Sequence, residues 1–382
     1  MITFAFALFL VFHGLIPGMG FAKAFGYADL SGITQPISPV MAWAWQAAGW
    51  LFVAAAVAIY AAPNMWWVLG LCAVAMSMIA MLPSWRDATF GAAANGLAIA
   101  GVVFGVLAYG PASLRATYER DVHASLVRAT ANAHPVVTEA DLGRLPAPVQ
   151  RYLRTAGVVG QPRVNEMRVR MRGRIRGGPG MAWISFSSEQ HNTFGDAPAR
   201  MFYMTATRAL VPIQGYHRFV ASPASMLIKA AALVPVVDMT GSEMTQSETV
   251  TLFNDLCIMA PSALLDRSVT WDPPPPIEPN RQGPARPVVR GRFSHEGRTV
   301  TADLVFGLDG MLVDFVSDDR YATSSDGTTM TRQRWSTPVR AVRAFGKVRL
   351  ASAGEARWHE GDQSWSYLEL TIDDVQYNVT PR

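Results

Sequence analysis

A chain of 382 residues is too long for one ordinary hydrophobic core and suits two domains. A net charge of +4, widely dispersed, argues against nucleic acid as a partner, and two cysteines, Cys72 and Cys257, make no disulfide framework. Of the 33 Lys and Arg and 29 Asp and Glu residues, only Lys23, Asp29, Arg86 and Asp87 precede Gly110, so the charge belongs to the chain beyond Gly110.

A hydrocarbon core of about 30 Å needs roughly 20 apolar helical residues. Four stretches meet that need: Ile2–Phe21, Val40–Ala61, Met65–Leu82 and Ala88–Tyr109. The first lacks the positive start of a cleaved leader and is succeeded by more spans, so it is read as retained. Residues 1–110 are therefore expected to form a multi-pass membrane domain of about four helices. Trp43, Trp45, Trp66, Trp67 and Trp85 fall near the span ends, where indoles favour the interface. The polar residues inside the spans are His13, Gln46, Ser77 and Asn95. His13 lies deepest, which suits either an interior hydrogen bond or a functional contact. Arg115, Arg120 and Arg128 on one side of the membrane, against Lys23 and Arg86 on the other, place the soluble part in the cytoplasm of an inner-membrane protein.

Residues 111–144 read as a helical connector and residues 145–382 as a soluble, strand-rich domain. Val149, Tyr152, Leu153 and Ala156 repeat at helical spacing, with Pro148 in the first turn and Gly157 as the stop. The period then becomes two: Met167, Val169, Met171 and Ile175 alternate with Arg168, Arg170, Arg172, Arg174 and Arg176. Such an arginine row suits an anionic surface, or a solvated sheet face with acidic neighbours on the next strand. Further strands are expected at 182–189, 199–207, 215–221, 286–293, 298–306, 312–317, 328–336, 354–359 and 364–373. Turns fall at His295-Glu-Gly297, Asp309-Gly310, Asp326-Gly327 and Gly361-Asp362. Between the two strand groups, Ser225–Leu233 reads as an apolar helix and Thr245-Gln-Ser-Glu248 as the capping box of another. A proline-rich loop begins after Asp272. The expected fold is α+β: a large, curved, incomplete-barrel-like antiparallel sheet with helices on its concave face.

The seven histidines show no metal-ligand spacing, and there is no Cys-x-x-Cys, Gly-x-Ser-x-Gly or P-loop. Catalytic residues, metal and cofactor are accordingly assigned as none. Asp318-Asp319-Arg320 is the densest charged cluster and the sole acid–base candidate, with Glu189 or Glu243 as additional acids; otherwise Arg320 neutralises Asp319 at a strand end.

The stretch from Leu145 to Val379 resembles an uncharacterised bacterial domain family of unknown function. The likeness rests on Leu145-Pro-x-Pro-Val-x-Arg-Tyr-Leu153, Leu233-Val-Pro-Val-Val-Asp238, Glu243-Met-x-Gln-x-Glu248, Ser317-Asp-Asp-Arg-Tyr321 and Trp335-Ser-Thr-Pro338. It implies no activity. The strand–helix–strand order is also similar to bacterial lipoprotein carriers, whose incomplete barrels hold lipid chains. Gly20-Phe-Ala-Lys-Ala-Phe25 resembles small DoxX-like membrane proteins.

The leading expectation is a membrane-tethered binding protein that holds an apolar or lipid-like ligand. Trp183, Phe186, Phe202, Met204, Met226 and Phe315 are the candidate lining, and membrane lipid or a hydrophobic small molecule is the partner. The alternatives are an enzyme on a membrane-associated substrate using Asp318, Asp319 and Arg320, and a structural or signalling module docking its arginine row on anionic surfaces.

Overall fold

The computed structural model describes residues 2–129, 134–273, 286–324 and 329–379. The proline-rich loop over 274–285 and the turn expected at Asp326-Gly327 lie outside them. The chain divides into two compact units: Met1–Thr117 with Ala231–Leu233, and Tyr118–Ala230 with Val234–Arg382.

The first unit contains α1 (Ile2–Leu15), α2 (Pro17–Ala24), α3 (Pro39–Ala61), α4 (Trp66–Met81) and α5 (Thr89–Tyr109). Four helical stretches, the first being α1 with α2, are long and apolar enough to cross a membrane. Gly14 brings α1 onto α3: a Cβ there would sit 2.8 Å from the Gly49 carbonyl oxygen. Two of the tryptophans expected at an interface pack inside instead. Trp45 lies against Gly20 and donates its indole N–H to the Ala80 carbonyl at 2.7 Å; Trp66 fills the space left by Gly105.

The chain continues through α6 (Leu114–Ala129), α7 (Glu139–Leu142) and α8 (Ala147–Thr155). In α8, Val149, Tyr152, Leu153 and Ala156 are buried, as their spacing predicts. Pro148 occupies the first turn, where no intrahelical N–H is lost. Gly157 ends the helix at φ +76°, and a Cβ there would approach the Lys347 carbonyl to 2.9 Å.

The strands are β1 (Glu166–Ile175), β2 (Ile184–Thr193), β3 (Ala199–Arg208), β4 (Val211–Phe219), β5 (Ser225–Ala230), β6 (Val234–Thr240), β7 (Val269–Trp271), β8 (Val288–His295), β9 (Arg298–Phe306), β10 (Leu312–Ser317), β11 (Tyr321–Thr323), β12 (Met330–Arg332), β13 (Trp335–Ser336), β14 (Val339–Phe345), β15 (Val348–Glu360) and β16 (Gln363–Tyr377). Between β6 and β7 runs α9 (Ser242–Met259), the one long helix enclosed by these strands among the described residues. Fourteen strands make one antiparallel sheet in the order β6-β5-β4-β3-β2-β1-β16-β15-β13-β10-β9-β8-β7, with β14 added on β15. The terminal strands β6 and β7 do not pair with each other, so the sheet is an open half-barrel.

Its curvature is set by what α9 touches. The helix contacts β5 and β6 near one end of the strand order and β9 and β10 near the other. In a flat sheet with strands about 4.8 Å apart, β5 and β9 would be roughly 40 Å from each other, several times the diameter of a helix. The sheet must therefore wrap around α9, and from Met244 to Met259 only Gln246 is not buried.

Two expectations fail. Ser225–Leu233 is not a helix: Ser225–Ala230 is β5, and Ala231-Ala232 turn the chain into β6 with φ of 50° and 57°. An apolar run this short fits strand and helix equally by pattern, and a tight turn built from alanines carries no glycine or asparagine to announce it. The Thr245–Glu248 capping box is also absent. The helix starts four residues earlier, with Gly241 rather than Thr245 as its N-cap, so Thr245 turns its hydroxyl back to the Gly241 carbonyl and Glu248 faces the sheet.

Candidate functional site

A helix enclosed on every side should be apolar on every side. α9 is not: Thr245, Ser247, Glu248, Thr249, Thr251, Asn254 and Asp255 are all buried. Each has a partner. Arg200, on β3, donates Nε to Asp255 at 2.7 Å and Nη1 to Glu248 at 2.9 Å. Gln190 and Asn192, on β2, donate to the same Asp255 oxygen at 2.7 and 3.1 Å. His217 Nδ1, on β4, lies 3.2 Å from Glu248 Oε1. Burial alone would raise the Glu248 carboxyl, but Arg200, the His217 hydrogen bond and Arg320 outweigh it and hold it down at about 2. For Asp255 burial wins: its carboxyl is raised despite Arg200, Asn192 and Gln190. This network fixes how the helix sits in the sheet.

The strand registers sort the concave face into rows that run across the strands. The innermost row is Met167, Asn192, Arg200 and Phe219, all buried under α9. The next is Val169, Gln190, Phe202, His217, Met226 and Met239, in which Gln190 and His217 still reach the helix. Beyond it lies a row of Ile372, Met171, Ser188, Met204, Gly215, Ile228 and Val237, then one of Leu370, Gly173, Phe186, Ala206, Ile213 and Ala230. Leu368, Ile175 and Ile184 form the last. Ile228, Val237, Leu370, Ala206, Ile213, Ala230, Leu368, Ile175 and Ile184 are only half-buried.

Two glycines keep these outer rows low. A Cβ on Gly173 would meet the Phe186 ring at 2.9 Å, and one on Gly215 would meet Met204 Cγ at 2.9 Å. Phe186 and Met204 thus lie down over their glycine neighbours instead of standing up into the half-barrel. The result is an apolar trough past the helix. Of the side chains in its three rows, Ser188 alone is polar, and its hydroxyl bonds back to the Met171 carbonyl.

Of the six residues expected to line a ligand, Phe186, Phe202, Met204 and Met226 share this concave face. Phe315, on β10, lies on the same face but under α9 rather than in the trough: it is fully buried, edge-on to Phe253 of the helix and to Trp335. Trp183 precedes β2 and stacks against the guanidinium groups of Arg174 and Arg176.

The opposite face carries the arginine row. Arg168 pairs with Glu189, Arg170 with Asp374, Arg172 with Asp373 and Arg174 with Glu369. These are the acidic neighbours on adjoining strands, so four of the five arginines are already matched. From α6, Tyr118 stacks on Tyr203 and lies 2.8 Å from His191, while Asp121 takes both arms of Arg218.

Asp318, Asp319 and Arg320 are adjacent in sequence but separate in space. Asp318 is exposed. Asp319 is buried, accepts from the backbone and hydroxyl of Thr301, and pairs with Arg332 rather than Arg320. Its role is to tie β9 to the chain after β10. Arg320 turns inward: Nη1 donates to the Ser247 carbonyl at 3.2 Å and to the Thr251 hydroxyl, and its guanidinium lies 4.5 Å from the Trp335 ring centre and 5.8 Å from that of Trp358. Sequence reasoning picked the cluster for its carboxylates, whereas the residue that reaches the interior is the arginine. Glu189 belongs to the arginine row, and Glu243 is exposed at the start of α9.

Among the described residues no group of three His, Cys, Asp or Glu side chains is placed to hold a metal ion. In the first unit, His13 Nε2 lies 2.9 Å from Asn95 Oδ1, and Asn95 donates to the Ser77 hydroxyl at 3.0 Å. The His13 ring is stacked on Phe9 and edge-on to Phe52. Gln46 lies half-buried beside Gly18, outside this network.

The model of a family of unknown function (DUF6544) matches residues 135–370, more than half of the chain, and the protein belongs to that family. No curated protein matches. Among solved structures, a DUF1329 family protein from Desulfovibrio piger is 10% identical, with 61% of this chain and 92% of that one covered at a TM-score of 0.35. A LolA superfamily protein from Nitrosomonas europaea is 9% identical, with 60% and 93% covered at a TM-score of 0.32.

Proposed function

We propose that this member of an uncharacterised family is a membrane-tethered binding protein whose half-barrel holds an apolar, lipid-like ligand in the trough beyond α9. The observation that carries the reading is the outward gradient along the rows. The innermost row is wholly buried under the helix, and although Ile372, Met171, Met204 and Phe186 stay buried, the other apolar side chains of the outer rows are half-exposed on the inside of the curved sheet. Half-exposed Ile213, Ile228, Leu370 and Leu368 facing one another across a concavity lose water contact when an acyl chain lies between them. The polar network under Arg200 gives α9 a fixed seat, so the trough is preformed and needs no displacement of the helix. The four apolar helices of the first unit would serve as the tether and bring the site to its lipid source.

The test is a substitution that fills the trough. Ala206 points into it between Phe186 and Ile213, and Ala206→Trp should occupy the ligand's place. The full chain, in a mild non-ionic detergent, should bind an environment-sensitive acyl probe, and Ala206→Trp should lose most of that binding with an unchanged melting temperature. Equal probe binding by both proteins would refute the trough as the site.

A further inference from the structure

The polar groups at the inner end of the trough specify what the ligand's head should be. We propose that Arg320 is an oxyanion-binding residue, and that the ligand is an amphiphile whose carboxylate or phosphate head is held there while its chain lies in the trough. The inference rests on the reading of the trough as a lipid-like site and adds the head group to it.

Arg320 differs from Arg200, the other arginine that reaches the buried part of α9. Arg200 is matched by two carboxylates. Arg320 has no carboxylate within ion-pair distance among the described residues, because Asp319 is taken by Arg332 and Asp318 points to solvent. Its Nη1 is occupied by α9, but its Nε is buried and donates to no acceptor. Arg320 is half-buried and acts on Glu248 only at a distance; its buried Nε–H without an acceptor is costly, and an incoming oxyanion offsets that cost through the two N–H groups of the free edge. The indole rings of Trp335 and Trp358 hold the plane of the guanidinium in place, which keeps its fork oriented before a ligand arrives.

The position is right as well. Arg320 grips Ser247 and Thr251, while Glu248, in the same turn of α9, is gripped by His217 of the second row. The hydroxyl of Thr323, three residues along the chain, contacts the sulfur of Met239 in that row. Trp358, over which Arg320 lies, stacks on Tyr367 beside Leu368 of the outermost row. Arg320 thus stands where the helix ends its cover of the sheet and the apolar rows begin.

The experiment compares two photoreactive probes with the same 16-carbon chain, one a carboxylic acid and one a primary alcohol, on the full chain in non-ionic detergent. Labelled peptides from β3, β4 and β5 are quantified. Labelling by the acid should saturate at a concentration at least about tenfold lower than labelling by the alcohol. Arg320→Gln should bring the acid to the level of the alcohol and leave the alcohol unchanged. Arg320→Lys, which keeps the charge and most of the volume, should give an intermediate result and covers the case in which the glutamine variant does not fold. Equal labelling of wild type by acid and alcohol, or acid labelling insensitive to both variants, overturns the role of Arg320 and leaves the trough standing. Failure of both probes to label these strands overturns the trough itself. Displacement of the acid by inorganic phosphate as effectively as by unlabelled palmitate overturns the amphiphile in favour of a small-anion site.

Discussion

Replacing Arg200 by Met tests whether the charged network, rather than apolar packing alone, seats α9. The substitution keeps an unbranched side chain of similar reach but leaves Glu248 and Asp255 buried with no Arg200 beside them. Breaking a buried pair from one side costs about 3–5 kcal/mol. The pH dependence separates this cost from a packing defect. In the wild type Glu248 titrates at about 2, below its ordinary 4.5. A depressed carboxyl contributes stability that is fully present above 4.5 and is lost as pH falls towards 2. At about 1.4 kcal/mol per pH unit that contribution is on the order of 3 kcal/mol. Without Arg200, burial becomes the dominant influence and lifts Glu248 above 4.5. A raised carboxyl disfavours the fold at high pH and ceases to do so once pH drops below its unfolded value. The Arg200→Met deficit should therefore be largest at pH 7 and shrink towards pH 4.5. Urea unfolding of the full chain in mild detergent, monitored by near-ultraviolet circular dichroism at several pH values, measures it. A deficit that is the same at pH 7 and pH 5 would refute the electrostatic account and leave only lost packing.

Other substitutions probe the same geometry. Leu153→Ala should cost about 2–5 kcal/mol at every pH, since Leu153 is fully buried in α8, whereas Arg154→Ala removes only an exposed pair with Glu139 and should change stability by less than about 1 kcal/mol in the same unfolding assay. Gly157→Ala should lower the melting temperature, because it places a Cβ against the Lys347 carbonyl in a left-handed backbone, at a cost of roughly 1–2 kcal/mol. Glu166 is buried, accepts from the Val379 N–H, and burial raises its carboxyl to about 8. Its protonated form favours the fold below pH 4.5, and that stability is lost as pH rises through 8. Glu166→Gln should accordingly raise the melting temperature at pH 8 and leave it unchanged at pH 4; no gain at pH 8 would contradict the assignment.

Much of the fold can be read from residue order because its signals are local. Twenty-residue apolar runs mark the four spanning-length helices, and the helical spacing of Val149, Tyr152, Leu153 and Ala156 marks α8 with its two prolines and terminal Gly157. The alternation from Met167 to Arg176 marks β1, and acidic partners on the next strand are one of the two readings its arginines allow. The hidden features depend on contacts distant in sequence. The β5–β6 hairpin turns on Ala231-Ala232, and β3–β4 on Ala209-Leu210 at φ 46° and 69°, residues that carry no turn signature. Glu248 reads as part of a capping box because the partners that seat it, Arg200 and His217, come from strands 48 and 31 residues away. In the Asp318–Arg320 cluster, which carboxylate pairs with which arginine is decided by Arg332, on a separate strand. Five of the six candidate lining residues share one sheet face, Phe315 under α9 and the other four across β2 to β5, but only the position of α9 on that face identifies it as the concave one.

The measurement that bears most directly on the central claim is native mass spectrometry of the full chain, extracted in mild detergent and freed of it in the gas phase, beside the Ala206→Trp variant. The account predicts a discrete co-purified mass of lipid or fatty-acid size on the wild type that is absent from the variant. A wild type that is consistently ligand-free, or an adduct that persists equally when the trough is filled, would contradict it.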